Sequence, residues 1–192
     1  MLLCGTLPYY GKDTPNVSTV SEFIRDGLRG QHAMIDQAVK ELTPDQLHWL
    51  PPDTKLNHIG NTLWHYVRTE DNVIQFVLQD RKPTVWIESG FHENFGLDKI
   101  AQGTGMSTED AHAMRLPAMD EWMEYQQAVW QASDAYLASI DEAELDRVRT
   151  LRPFGELSAA QALSRSCLTH GHTHFGEICI MRGLQGLPST IG

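Results

Sequence analysis

The sequence predicts an all-α protein, a four-helix bundle with a long connection between helices two and three. Three observations carry this expectation. Four segments of about 20 residues repeat their apolar side chains at helical spacing, proline- and glycine-rich breaks separate them, and no alternating run reads as a strand.

Residues 1–17, with Pro8, Pro15, Gly5, Gly11 and a tyrosine pair, read as an irregular N-terminal arm, and residues 18–188 as the bundle domain. The apolar start of the arm has no basic region and is broken by Gly5 and Pro8, so it does not read as a signal peptide. Ser18 or Ser21 can cap a first helix running to about Leu42, with Val20, Phe23, Ile24, Leu28, Ile35, Val39 and Leu42 on one face. Pro44, Pro51 and Pro52 make the next stretch a connection, because proline removes a backbone donor and clashes with the preceding turn. A second helix runs from near Ile59 to about Gln79 on Leu63, Trp64, Val67, Val73 and Ile74.

Positions 80–116 contain Pro83 and glycines at 90, 96, 103 and 105, and are expected to form a long loop with a short helix at Thr108–Arg115. A loop of that length inside a compact domain points to function. Pro117 suits the start of a third helix, continued by Met119, Trp122, Tyr125, Val129, Trp130 and Leu137. The polar stretch DEAELDRVRTLRPFGEL connects to a fourth helix, capped by Ser158 and ending near Leu184, before Gly186 and Pro188.

The 192 residues include 25 acidic and 15 basic side chains, a formal charge of −10. No basic stripe is visible along the chain, so nucleic-acid binding is not expected. No apolar run reaches the ~18 residues a membrane span needs. Three widely spaced cysteines without a Cys-x-x-Cys suit a reducing compartment, and a cytoplasmic location is expected.

Nine histidines are about twice an ordinary share. On an ideal helix His170 and His174 lie about 40° and one turn apart, so their imidazoles can converge, whereas His172 faces elsewhere. Leu163, His170, His174, Glu177 and Met181 fall in one stripe about 60° wide, with Cys167 near its edge. Two histidines and a glutamate on a face turned into the bundle are costly unless they bind something. Helix two presents a polar stripe of Thr62, His65, Arg68, Thr69, Asn72 and Phe76. His65 with His170 and His174 forms a three-His site with coordination positions left open, as a catalytic divalent metal requires. The plainer alternatives stay beside this. The His170/His174 pair can be structural, and His32, His48, His92 and His112 read as ordinary hydrogen-bonded residues. His58 reads as a cap or an orienting residue, and Cys167 as an inert thiol, a nucleophile or a soft ligand.

The Trp-His within NTLWHYVRTEDNVIQFVL, and the His-x-x-x-His followed by Gly-Glu-Ile in HGHTHFGEICIMRGLQG, resemble in their order the DinB-like superfamily of metalloenzymes, over residues 18–188. The resemblance implies that His65, His170 and His174 bind one divalent metal, zinc, nickel or iron. It also implies a four-helix bundle with a long crossover, assembled as a homodimer. Characterised members include S-transferases that use a low-molecular-weight thiol co-substrate (bacillithiol, mycothiol or glutathione) and a mycothiol-dependent maleylpyruvate isomerase. A related domain supplies iron ligands in sulfoxide synthases. Gly171 and His172 inside the motif and the length of segment 80–116 depart from the family pattern and leave the substrate open.

The resulting expectation is a metal-dependent transferase or hydrolase in which an activated thiol or water attacks a small electrophilic substrate. Arg68, one turn beyond His65, is placed to neutralise a carboxylate on thiol or substrate, or to pair with Asp71. Asn72 can hydrogen-bond the substrate or be solvated, and Glu177 is the general base or the acceptor that orients an imidazole. Trp86, Phe91 and Phe95 either wall the mouth of the site or pack between helices two and three. The alternative function is a non-catalytic, metal-stabilised bundle that binds a small molecule or serves a stress response.

Overall fold

The structure is a computed structural model and describes residues 19–190, so the arm assigned to residues 1–17 lies outside the described residues. Helix α1 (Val20–Val39) is capped by Thr19, between the two serines expected. The Thr19 hydroxyl accepts from the Glu22 N–H (3.2 Å), and the Glu22 carboxylate accepts from the Thr19 N–H (3.1 Å). That reciprocal pair satisfies two otherwise orphaned donors. Val20 and Phe23, expected on the inward face, are 50% and 65% exposed, because they precede Ile24, where α1 reaches the apolar core.

The connection after α1 contains one capped turn, α2 (Pro44–Leu47). Helix α3 (Ile59–Asp71) continues into a π-helical segment, Asn72–Val77. Segment 80–116 holds more structure than its glycines and proline suggest: α4 (Val85–Glu88), α5 (Phe91–Asn94) and α6 (Thr108–Ala113). Helix α7 (Met119–Ser139) follows Pro117 as expected, then α8 (Glu142–Asp146).

No strand is expected in this part of the chain, yet two form. The polar connection carries a two-stranded antiparallel hairpin, β1 (Val148–Leu151) and β2 (Gly155–Ser158), with Val148 opposite Ser158 and Leu151 opposite Gly155. Each strand buries one leucine, Leu151 or Leu157, which is too short an alternation to register as a period of two. After β2, Ser158 caps α9 (Ala159–Ala162), and a second π-helical segment, Leu163–Thr169, leads into α10 (His170–Leu184).

Helix α1 packs on α7 and α10, and α3 packs on the same two helices from the other side. One apolar cluster gathers Ile35, Leu63, Trp64, Trp86, Trp122 and Trp130, and another gathers Ile24, Leu28, Ile74, Leu137, Leu163 and Cys167 beneath the hairpin's Leu151 and Leu157. Among the described residues no helix is long and apolar enough to cross a membrane.

Asp71 ties segment 80–116 to this body. Its carboxylate accepts from the backbone N–H of Val85 (2.9 Å) and Trp86 (3.0 Å), from the Tyr125 hydroxyl (3.0 Å) and from Arg68 (3.3 Å). Burial pushes the Asp71 carboxyl up in spite of these donors. Trp86 is fully buried, with the Arg68 guanidinium 4.9 Å from its ring centroid and Tyr125 and Phe95 against its other edges. Trp86, Phe91 and Phe95 therefore follow the packing alternative rather than forming a wall at the mouth.

Candidate metal centre

His65 stands on α3, and His170 and His174 on α10, one helical turn apart. One ring nitrogen of each lies within 4.8 Å of those of the other two. The His170 and His174 rings are 4.3 Å apart at their centroids, and the His65 ring is 5.0 Å from each. These are contacts across two helices that share no sequence neighbourhood.

Glycine makes the approach possible. A Cβ built on Gly171 falls 2.0 Å from Gln31 Nε2 and 2.6 Å from Tyr66 Cζ, so α10 sits closer to α1 and α3 than any side chain at that position permits. Gly103, at φ +84°, presses the backbone of segment 80–116 onto the His65 ring, where a Cβ would stand 3.1 Å from Nδ1. Below the histidines, the Tyr66 hydroxyl and Ser133 hydroxyl (2.7 Å) donate to the fully buried Glu70 carboxylate, with His32 Nε2 3.0 Å away. Burial alone would raise the Glu70 carboxyl, but His32, Ser133 and Tyr66 outweigh it and hold it below its ordinary value. The Gln31 amide in turn donates to the Tyr66 hydroxyl. This network fixes the surfaces on which α10 rests.

Hydrogen bonding selects the tautomers. His65 Nδ1 faces the Gln102 carbonyl, and His174 Nδ1 lies 2.7 Å from the Glu177 carboxylate. Both partners only accept, so both Nδ1 atoms carry hydrogen and both Nε2 atoms present a lone pair. The Nε2 atoms of His170 and His174 are 2.8 Å apart, a separation that one proton or one cation between them satisfies. Burial, followed by the neighbouring His174 and His65, pushes His170 down to about 4. Burial also lowers His65, against the pull of the Gln102 carbonyl. Both imidazoles are thus neutral at pH 7, the state a metal ligand needs. The hydrogen bond from His174 holds the Glu177 carboxyl below its usual range, against burial. Three converging imidazoles, two of them pinned from behind, fit a divalent ion.

A cavity of about 270 Å³ opens beside His65 and His170, walled among others by Thr69, Asn72, Arg152, Phe154 and Arg165. It shares Asn72, Gln102, Thr104 and Arg152 with a wider cleft of about 880 Å³. Asn72, expected at the site, lines both. Glu177 is 49% exposed and on the far side of His174, in a separate hollow of about 220 Å³. Its observed contact is the orienting one.

Arg68 is corrected. It is 2% exposed, bound to Asp71 and stacked over Trp86, and it lines neither cavity, so its charge is spent inside the core and is not presented to a substrate. Cys167 is fully buried, and burial, then Glu70, push its thiol well up, which matches the inert alternative. His58 caps α3, its Nδ1 accepting from the Asn61 N–H (3.0 Å) and its Nε2 facing the Met114 carbonyl (3.1 Å). His172 is exposed. Gln102, Arg152, Phe154 and Arg165 were absent from the sequence-based expectation. Gly103 beside Gln102 and Gly155 beside Phe154, both at positive φ, are the marks these positions leave in the chain.

The model of a family described as the DinB superfamily matches residues 28–178. Among solved structures, the chain is similar to a conserved protein from Enterococcus faecalis at 18% identity and a TM-score of 0.73, covering 86% of this chain and 96% of that one. At that identity the likeness is one of fold. No curated protein matches the sequence.

Proposed function

The chain belongs to the DinB superfamily, and from that premise we propose that it is a metal-dependent enzyme acting on a small electrophilic substrate with a low-molecular-weight thiol or water as nucleophile. One observation carries the proposal: three imidazoles each offer a nitrogen within 4.8 Å of the others, and two of them, His65 and His170, stand on the wall of a cavity sized for a small molecule. A divalent ion bound there, zinc, nickel or iron, supplies a Lewis acid that lowers the pKa of an adjacent thiol or water.

The chain's own groups do the rest. His65, His170 and His174 hold the ion. The Gln102 carbonyl and the Glu177 carboxylate keep His65 and His174 in the tautomer and orientation that present Nε2. Asn72, on the wall shared by both cavities, hydrogen-bonds the substrate or the thiol. Trp64, Tyr66 and the buried Glu70 network hold α3 and α10 in place. We read the ring of contacts among α1, α3, α7 and α10 as a four-helix bundle. The exposed Val20 and Phe23 of α1 serve a homodimer, which gel filtration tests.

A metal-stabilised bundle without activity uses the same histidines, but the open cavity beside them favours the enzyme. Metal analysis of untagged protein tests the reading. About one equivalent is expected, as one three-His site requires, and His65→Ala and His170→Ala each lose it. A thermal shift that needs both metal and one particular thiol selects the transferase, since only a ligand preferring the folded state raises stability. Protein that takes up no metal under several loading conditions overturns it.

A further inference from the structure

The chain is acidic, yet its positive charge is gathered at one cleft. Of 15 basic side chains, Arg81, Arg149, Arg152 and Arg165 line the two adjoining cavities, against Asp80 alone among 25 acidic ones. Asp80 is engaged by Arg147 at 3.2 Å, and Arg149 by Glu144 at 3.2 Å. Arg81, Arg152 and Arg165 are exposed and form no ion pair among the described residues. Unpaired guanidinium groups on the walls of a partly enclosed cleft focus a positive field into it, and their forked donors match the paired oxygens of carboxylate and phosphate.

The arginines also share a wall with the histidines. Arg152 belongs to the hairpin tip and Arg165 to the π-helical segment one turn before His170, and both line the 270 Å³ cavity that reaches His65 and His170. Apolar surface lies alongside, with Phe154 57% exposed at the hairpin tip, and Phe76 43% and Ile100 79% exposed in the wider cleft. In the backbone, Asp80 (φ 52°) and Arg81 (φ 69°) take the left-handed conformation in succession, a costly arrangement that brings Arg81 to the rim of the wider cleft.

We propose that this cleft is an oxyanion-binding subsite. Its ligand is a small molecule that carries a carboxylate or phosphate held by Arg152 and Arg165, has an apolar part against Phe154, and turns its reacting atom toward the three histidines. That the ligand is a substrate rests on the function proposed above. That an anion binds here rests only on the arginines.

The test is a set of ¹H–¹⁵N NMR titrations of the full chain, zinc-loaded and metal-free, with succinate, inorganic phosphate and neutral succinamide. Succinate or phosphate is expected to shift the amides of Gln102, Thr104, Arg152 and Arg165, while succinamide leaves them unmoved. The tighter of the two anions identifies the oxyanion. Arg152→Gln and Arg165→Gln should each weaken binding about tenfold, the loss of one charge-assisted hydrogen bond. Lys40→Gln, an exposed cation at the end of α1, should leave it unchanged. The inference is overturned if no anion shifts those amides, if succinamide binds as well as succinate, or if both arginine variants bind the anion as tightly as the unaltered protein does. Zinc uptake by the same proteins separates the two proposals. Anion binding without zinc uptake keeps the cleft and sinks the metalloenzyme, and zinc uptake without anion binding does the reverse.

Discussion

Replacing Gly171 by alanine should move the whole metal centre. The new methyl would stand 2.0 Å from Gln31 Nε2, 2.5 Å from its Cδ and 2.6 Å from Tyr66 Cζ, whereas an ordinary contact is about 3.5–4.0 Å. Tyr66 is a fully enclosed ring and has nowhere to go. Either α10 withdraws by about an ångström, an overpacking cost of about 1–3 kcal/mol, or Gln31 swings away and leaves buried polar groups unpaired, at about 1–3 kcal/mol. Alanine's better helix propensity returns about 0.5–1 kcal/mol. With parts of both costs incurred, the net is a loss of about 2–4 kcal/mol, or roughly 5–15 °C in Tm for a chain of this size. Because His170 and His174 ride on α10, zinc affinity should fall about tenfold or more, read by competition with a chromophoric chelator. Gly176→Ala is the matched control on the same helix. A Cβ there meets nothing within 4 Å, so it should stabilise slightly. Gly171→Ala with unchanged Tm and unchanged zinc affinity would refute the argument that this glycine seats α10 against Gln31 and Tyr66.

Glu177→Gln should lower zinc affinity about 10- to 100-fold while leaving the metal-free Tm within about a degree, because the carboxylate orients His174 from a half-exposed position; unchanged affinity would remove its orienting role. Asp71→Ala should cost about 3–5 kcal/mol in chemical denaturation and weaken the near-ultraviolet signal of Trp86, because it strands the buried Arg68 charge and frees two backbone donors of α4; a loss under 1 kcal/mol would contradict the buried network. His58 is pushed down to about 4, by burial first and His48 next. Above pH 6.5 neither the folded nor the unfolded state protonates it. As pH falls from 6.5 to about 4 the unfolded chain takes up a proton that the folded one refuses, so about 3 kcal/mol of stability is lost across that window. His58→Asn, which keeps a capping side chain, should flatten that part of the acid limb of a stability-versus-pH curve, and identical slopes would count against it.

Much of the helical framework is legible because helix formation is local. The apolar spacing of Ile24 to Val39, Pro117 before Met119 and Ser158 before Ala159 mark their helices within a few residues. His170 and His174 are legible for the same reason, one turn apart on one helix, and His65 stands out through the polar stripe around it. On the ideal stripe Leu163, Cys167 and Met181 enter the core, whereas Glu177, between His174 and Met181, is half-exposed, and its carboxylate turns back onto His174. The hairpin leaves no period because each four-residue strand buries a single leucine, Leu151 or Leu157.

By itself, then, the sequence determined the four long helical segments, the N-terminal caps of the first and last of them within a residue or two, and the candidate histidines, all read from side chains within a turn or two of each other on one helix. Only the tertiary structure decided that Arg68 is consumed by Asp71 and Trp86, that Gln102 and Glu177 hold His65 and His174, and that Arg152 and Arg165 meet at the cavity the histidines line. Those outcomes depend on which charges are buried together and which are left unpaired at a surface, and burial and pairing are set by chain segments separated by dozens of residues, which no local period records.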